Sequence, residues 1–168
     1  MSVERILALG DDQLAARFQL VFPTGIPGGG DSDSIALRMD QPFDPTTITV
    51  GEYEIAYKGT KLKKTSMTDG TDKTFTIQVR IDQKWKVFDS LYALSKMTYD
   101  PNTGTAYPDA VTRFPIAIQY VDGQNLVVKT WTYNYCKLKE FAVQSNDQGS
   151  DDPLRISLTF IWGSFTVS

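Results

Sequence analysis

Histidine is absent from this chain of 168 residues, and cysteine occurs once. Without an imidazole there can be no Ser-His-Asp or Cys-His catalytic arrangement and no histidine-ligated metal site. The one thiol, Cys136, has no internal disulfide partner. Its neighbours Tyr133, Tyr135 and Leu138 give it the setting of a small core hydrophobe, with no basic partner evident to stabilise a thiolate. Long apolar runs are also missing, since none approaches the roughly 20 residues that a spanning helix requires. The opening MSVERILALGDD lacks the basic region, long apolar core and cleavage site of a secretory signal. The expectation is a chain with no direct membrane anchor, made in a reducing cytoplasm. Nor is there an excess of positive charge. Seventeen basic against twenty acidic residues leave a formal charge of −3, which argues against tight binding of nucleic acid phosphates. The longest basic run, Lys61, Lys63 and Lys64, is broken by Leu62, and a solvated strand edge explains it at least as well as an anion site.

Two acidic groups, Asp11 with Asp12 and Asp147 with Asp151 and Asp152, could suggest calcium or glycosidase chemistry. They sit in DDQ and NDQGSDDP, which read as turns, and the second lacks the spacing and terminal glutamate of an EF-hand loop. GIPGGG is no phosphate loop, because no Lys-Ser or Lys-Thr pair follows it. The residues therefore point to no catalytic site, no metal site and no cofactor.

What is present is period-2 alternation in a composition rich in aromatic and β-branched residues. Phe18, Leu20 and Phe22 alternate with Arg17 and Gln19, and after the turn-rich stretch 23–34 Ile35, Leu37 and Met39 alternate again, so the two segments read as a hairpin with a flexible tip. Residues 40–74, interrupted by Pro42, Pro45, Gly51, Gly59 and Gly70, read as a long extended excursion in which Tyr53, Ile55 and Tyr57 alternate with Glu52, Glu54 and Ala56. Phe75, Ile77, Val79 and Ile81 make the clearest strand. At Asp82, a plausible N-cap, the period changes to that of a helix with Trp85, Phe88, Leu91, Tyr92 and Ser95 along one face. YDPNTGTAYPD is a loop. Phe114 to Tyr120 and Leu126 to Tyr135 form a hairpin turned by Asp122 and Gly123, and its second strand runs on through CKLKEFAVQS. The last strand carries Leu154, Ile156, Leu158, Phe160 and Trp162 on one face, and its phase slips at Gly163, which suggests a bulge. Short alternating strands around one helix exclude a parallel α/β sheet. They predict a mainly β fold: an antiparallel β-sandwich or barrel with one flanking α-helix and a long extended loop, as a single domain over 1–168.

This succession resembles the tail tube proteins of contractile-tailed phages, which are similar in fold to the tubes of bacterial contractile injection systems. The resemblance covers about residues 15–168. It rests on the hairpin at 15–39, the extended QPFDPTTITVGEYEIAYKGTKLKKTS, the strand KTFTIQVRID running directly into QKWKVFDSLYALSK, and the ending LKEFAVQSNDQGSDDPLRISLTFIWGSFTV. It implies a structural subunit, not an enzyme, that closes into homohexameric rings stacked as a hollow tube. Its partners would be a tail sheath, a tape measure and a baseplate, with DNA passing through the lumen without specific binding. The setting would be a virion tail, assembled in the host cytoplasm. The excursion at 40–66 becomes the candidate reach to a neighbouring subunit, with Phe43, Tyr53, Ile55 and Tyr57 as apolar contacts and Lys61, Lys63 and Lys64 beside them; the alternative is that it folds back over its own core. Two other readings stand beside the phage tube: the inner tube of a type VI secretion or phage-like injection system, and a β-sandwich ligand-binding module. The last requires Trp85, Trp131 or Trp162 to form an exposed platform, whereas Trp85 and Trp162 fall on apolar faces and are expected in the core.

Overall fold

The computed structural model describes residues 18–40, 50–57, 60–69, 72–144 and 153–168. Along these residues run β1 (Phe18–Val21), α1 (Ser32–Leu37), β2 (Met39–Asp40), β3 (Val50–Tyr57), β4 (Thr60–Asp69), β5 (Thr74–Arg80), α2 (Lys86–Thr98), α3 (Asp109–Thr112), β6 (Phe114–Val121), β7 (Val127–Val143), β8 (Arg155–Ile161) and β9 (Ser164–Val167). The fold is mainly β, as expected: a curled antiparallel sheet in the order β1-β6-β7-β8-β5-β2, with β9 also on β7, forms a half-barrel.

Alternation decides which side of the sheet is dry. On β5 Phe75, Ile77 and Val79 are buried, and in register with them on β8 lie Phe160, Leu158 and Ile156, also buried. Phe75 stacks on Phe160 with ring centroids 5.5 Å apart and meets Tyr133 at 4.7 Å. The intervening residues turn away from this core, and Thr76 and Thr159 join their hydroxyls at 3.0 Å on the other side.

The spine is β7, seventeen residues long. Its first half pairs with β6 and with β9, its second half with β8. Between them the chain bends at Tyr135, whose φ of 58° is left-handed. Gly163 lies opposite, donating its N–H to Asn134 O at 3.0 Å. A Cβ on Gly163 would stand 3.3 Å from the Tyr135 side chain, so glycine keeps the bend close-packed. The expected phase slip at Gly163 is thus a corner shared by two strands.

α2 lies against β7 and closes the core with Val87, Leu91 and Leu94. This is a correction to the face predicted from the aromatic stripe. The aliphatic residues spaced i, i+4 and i+7 pack against the sheet; Leu91 is the member the two stripes share, Phe88 is half-buried, and Trp85 and Tyr92 are exposed. Trp85 occupies the N-cap in the left-handed region, while the Asp82 carboxylate accepts from Val87 N at 3.0 Å. Asp82 therefore serves a free N–H of the first turn from three residues before the cap.

The segment expected to be a second strand at 34–39 is mostly α1. Asp31 accepts from Ser34 N at 3.2 Å and from its hydroxyl at 2.6 Å, a local cap that favours a helix over a ladder. Ile35 is fully buried, and Leu37, read as its strand-face companion, is 83% exposed. The glycine-rich stretch before it is no flexible hairpin tip. Ile26 is buried and bridges Gly30, and Gly28 and Gly30 sit against α2, where a Cβ would come 3.3 Å from Met97 Sδ and 2.9 Å from Ser90 Cβ respectively.

Two outcomes follow in chemical denaturation. Leu158→Ala costs about 2 to 5 kcal/mol, whereas Leu37→Ala changes stability by no more than about 0.5 kcal/mol; a large loss at Leu37 would restore the strand reading. For Asp82, the hydrogen bond from Val87 N is the largest influence and holds the carboxyl below its ordinary 3.8. A depressed folded value means the stabilisation is complete well above 3.8 and is lost as pH falls through the folded value. Asp82→Asn is therefore less stable than the parent at pH 7, and the gap closes as pH falls below the ordinary carboxylate range in paired urea titrations.

Candidate subunit-assembly surfaces

The sheet does not close on itself. Among the described residues β1 pairs only with β6, β2 only with β5, and β9 only with β7. Among the described residues no further strand lies beside β1, β2 or β9. Each border is short, which limits slippage and random pairing. The border at β2 is fixed to β8 by an ion pair between Asp40 and Arg155.

The second surface is the β3–β4 hairpin, the structural form of the predicted excursion. It is a separate two-stranded sheet that does not join the larger one. Its register sets Glu54 against Lys63, Ile55 against Leu62 and Ala56 against Lys61. Diagonal ion pairs, Lys61 with Glu54 at 3.2 Å and Lys63 with Glu52 at 3.5 Å, cover one face. Both are well exposed and contribute little to stability. A two-stranded ribbon alone is marginal in water and gains stability when its other face is packed. Ile55 is exposed, as are Lys61, Lys63 and Lys64. Tyr53 and Tyr57 hold alternate positions on β3, in register with Lys64 and Thr60. Phe43 lies outside the described residues. The structure thus brings together on one hairpin six of the seven residues predicted for a subunit interface.

A third feature was not found in the sequence. Trp85, Phe88, Tyr92 and Phe141 form a connected aromatic row on α2 and the adjoining β7. Trp85 meets Phe88 edge-on at 5.2 Å, Phe88 stacks on Tyr92 at 5.7 Å, and Phe141 stands 5.9 Å from Phe88. Trp85 is 47% and Tyr92 40% exposed. The ammonium of Lys96 lies 4.8 Å from the Tyr92 ring centre, a cation–π contact. The signal is Trp85, Phe88 and Tyr92, whose helical spacing predicts a core stripe. Trp162 is buried as expected, and Trp131 is half-buried and stacked on Phe165 at 6.0 Å. The three tryptophans form no common platform for a ligand.

Among the described residues the geometry gathers no catalytic groups. A groove of about 240 Å³ between α2 and β7 is open and lined by Ser95, Tyr99, Leu138 and Phe141 among others. Among the described residues no cluster of acidic or sulfur ligands could hold a metal ion. Asp109 accepts from Lys137 Nζ at 2.6 Å and from Arg113 at 2.9 and 3.2 Å, and the Lys137 bond foremost holds its carboxyl below the usual range. Arg113 also donates to Tyr135 O at 3.3 Å. This set secures the β7 corner.

The architecture has solved counterparts. A chain from the anti-feeding prophage cap, described as the tube-terminating cap, superposes with a TM-score of 0.60 at 14% identity, over 94% of this chain and 91% of that one. A chain from the sheath–tube complex of an extracellular contractile injection system, PVC, in its extended state gives 0.56 at 16% identity, over 100% and 98%. The sheath/tube terminator of the same system gives 0.57 at 16% identity, over 94% and 97%. The fold is that of contractile-injection tube and cap proteins. No family model and no curated protein sequence matches the chain. At such identities the likeness speaks for architecture, and it agrees with the tube resemblance drawn from the order of elements.

Cys136 is fully buried, its Sγ donates towards Tyr133 O at 3.3 Å, and burial pushes its pKa up to about 12. In the native protein at pH 8 a thiol-specific chromogenic disulfide therefore reacts only at the rate of global unfolding. Fast reaction would show that the corner beside it opens locally.

Proposed function

We propose that this chain is the tube subunit of a contractile tail or tail-like injection particle, acting as structural material and not as an enzyme. The whole of 1–168 would work as one tube domain, closing with five copies of itself into a ring, and rings would stack into a hollow conduit. The observation that supports this most directly is the pairing of a tube-type fold with a sheet that, among the described residues, has no further strand beyond β1, β2 and β9, and with a β3–β4 hairpin separate from it. Edge-to-edge pairing of copies satisfies those borders, and a ring built this way is closed and self-limiting. The hairpin then carries Tyr53, Ile55 and Tyr57, with Lys61, Lys63 and Lys64 at its margin, to a neighbouring subunit of the same or the next ring. Burying apolar side chains there contributes roughly 1.5 to 3 kcal/mol each when fully removed from water, an upper figure.

A sheath around such a tube, a baseplate at its end and a tape measure within it are the partners this role requires. Two alternative settings fit that role, a virion tail that passes DNA or an injection particle that passes protein. Genes for a capsid beside those for sheath and tape measure would assign the first.

Negative-stain electron microscopy of the purified protein at high concentration tests the proposal. Rings or hollow tubes are expected; a persistent monomer across concentration and ionic strength, with no growth on added seeds, would overturn it. Replacing residues 50–69 by a short Gly-Ser linker should leave a β-rich, cooperatively unfolding protein that no longer polymerises. Undiminished tube growth by that variant would refute the role given to the hairpin.

A further inference from the structure

Three arginines stand abreast at one end of the large sheet. Arg80 on β5 lies in register with Arg155 on β8. The ladder of β2 on β5 sets Met39 against Val79 and Asp40 against Gln78, and one step further the Arg80 amide donates to Arg38 O at 2.9 Å, which brings Arg38 opposite Arg80. Like charges set directly opposite each other across a ladder work against the pairing. Arg155 is relieved by Asp40. Arg38 and Arg80 are exposed, and among the described residues neither guanidinium joins a carboxylate in an ion pair. The acids of the flanking elements are engaged elsewhere or point into water. Asp31 accepts from Ser34 N and from its hydroxyl. Asp82 accepts from Val87 N at 3.0 Å and feels Arg38 only as the least of its influences. Asp33, in the first turn of α1, is exposed.

Arg38 and Arg80 also line one open hollow of about 430 Å³, whose remaining wall is Ser34, Leu37, Ile81 and Pro153. Leu37 is 83% exposed, and Pro153 is exposed as well. Two guanidinium forks beside an apolar rim have a definite ligand chemistry. Each fork presents parallel N–H donors that match the two oxygens of a carboxylate. A free inorganic oxyanion would satisfy the forks and leave Leu37 and Pro153 in water. A carboxylate carried next to an apolar side chain covers both parts of the hollow. We propose that this hollow is a docking site for an acidic segment of another protein chain, with its carboxylate held between Arg38 and Arg80 and the apolar neighbour of that carboxylate resting on Leu37 and Pro153. The site stands apart from the tube reading, because nothing in it depends on a ring.

The test titrates the full chain, below any concentration at which it assembles, with acetyl-Leu-Asp-Leu-amide, and follows the arginine Nε–H signals by nuclear magnetic resonance. Arg38→Gln and Arg80→Gln assign the two signals. Both should move together and saturate in the millimolar range or below. The matched acetyl-Leu-Asn-Leu-amide should bind about tenfold or more weakly, since the carboxylate is what the forks hold. Arg80→Lys keeps the charge and loses the fork, and should weaken the acidic peptide about threefold or more. Leu37→Ser should weaken the peptide about threefold and leave the response to inorganic phosphate unchanged. Absence of a saturable shift of the two signals, or equal binding of the two peptides, would overturn the site. Inorganic phosphate binding as tightly as the acidic peptide at equal ionic strength, or peptide binding indifferent to Leu37→Ser, would overturn the acidic segment as its occupant. The exposure of Leu37 keeps that variant folded, so it decides even where an arginine variant fails to fold.

Discussion

The bend of β7 at Tyr135 is the constraint on which the rest of the molecule depends. A single strand of this length can serve two halves of a curled sheet only if it changes direction without losing its ladder. The left-handed φ of Tyr135, the glycine opposite it and the amide-to-carbonyl bond from Gly163 to Asn134 supply that change together. From the outside Arg113 holds the Tyr135 carbonyl, and Asp109 holds Arg113 and Lys137. With the corner set, β6, β8 and β9 take their places along β7, and the apolar faces of β5 and β8 converge on Tyr133, Phe160 and Trp162.

Charge is handled locally. The chain is nearly balanced, and ion pairs among the described residues join the two strands of the hairpin, reach across β5 from β2 to β8, or run from the first turn of a short helix to its C-cap and to β7: Glu52 and Glu54 to the lysines of β4, Asp40 to Arg155, Asp109 to Arg113 and Lys137. Such pairs add little net stability where they are exposed. They do remove free charges from faces that meet copies of the same chain in the proposed ring, where like charges brought together would oppose association. The hairpin shows this clearly, since its acidic strand and its basic strand neutralise each other along one face.

Much of the fold was legible in the residues. β5, β6, β8 and the start of α2 announce themselves because one side of each is dry and the other wet, and the period follows directly. α1 was misread because Ile35 and Met39 are separated by four residues, a spacing that satisfies both a strand and a helix over so short a stretch. The deciding signal was Asp31 with Ser34, a capping pair that outweighs two turns of ambiguous periodicity. α2 was placed correctly but turned the wrong way. Three aromatic residues at helical spacing look like a core stripe, and only the tertiary packing shows that Val87, Leu91 and Leu94 fill the space first. The hairpin's alternation was visible, yet its separation from the larger sheet was not, because pairing partners distant in sequence leave no local mark.

The glycines of the turn stretch before α1 carry a further consequence. At Gly30 the backbone runs under α2 so closely that Ser90 occupies the space a methyl group would need. The irregular stretch and the helix are therefore fitted to one another like a key and its ward. Enlarging either would lever the helix away from the sheet and tilt its aromatic row, so the outer contour of the subunit is governed by the smallest side chains in it.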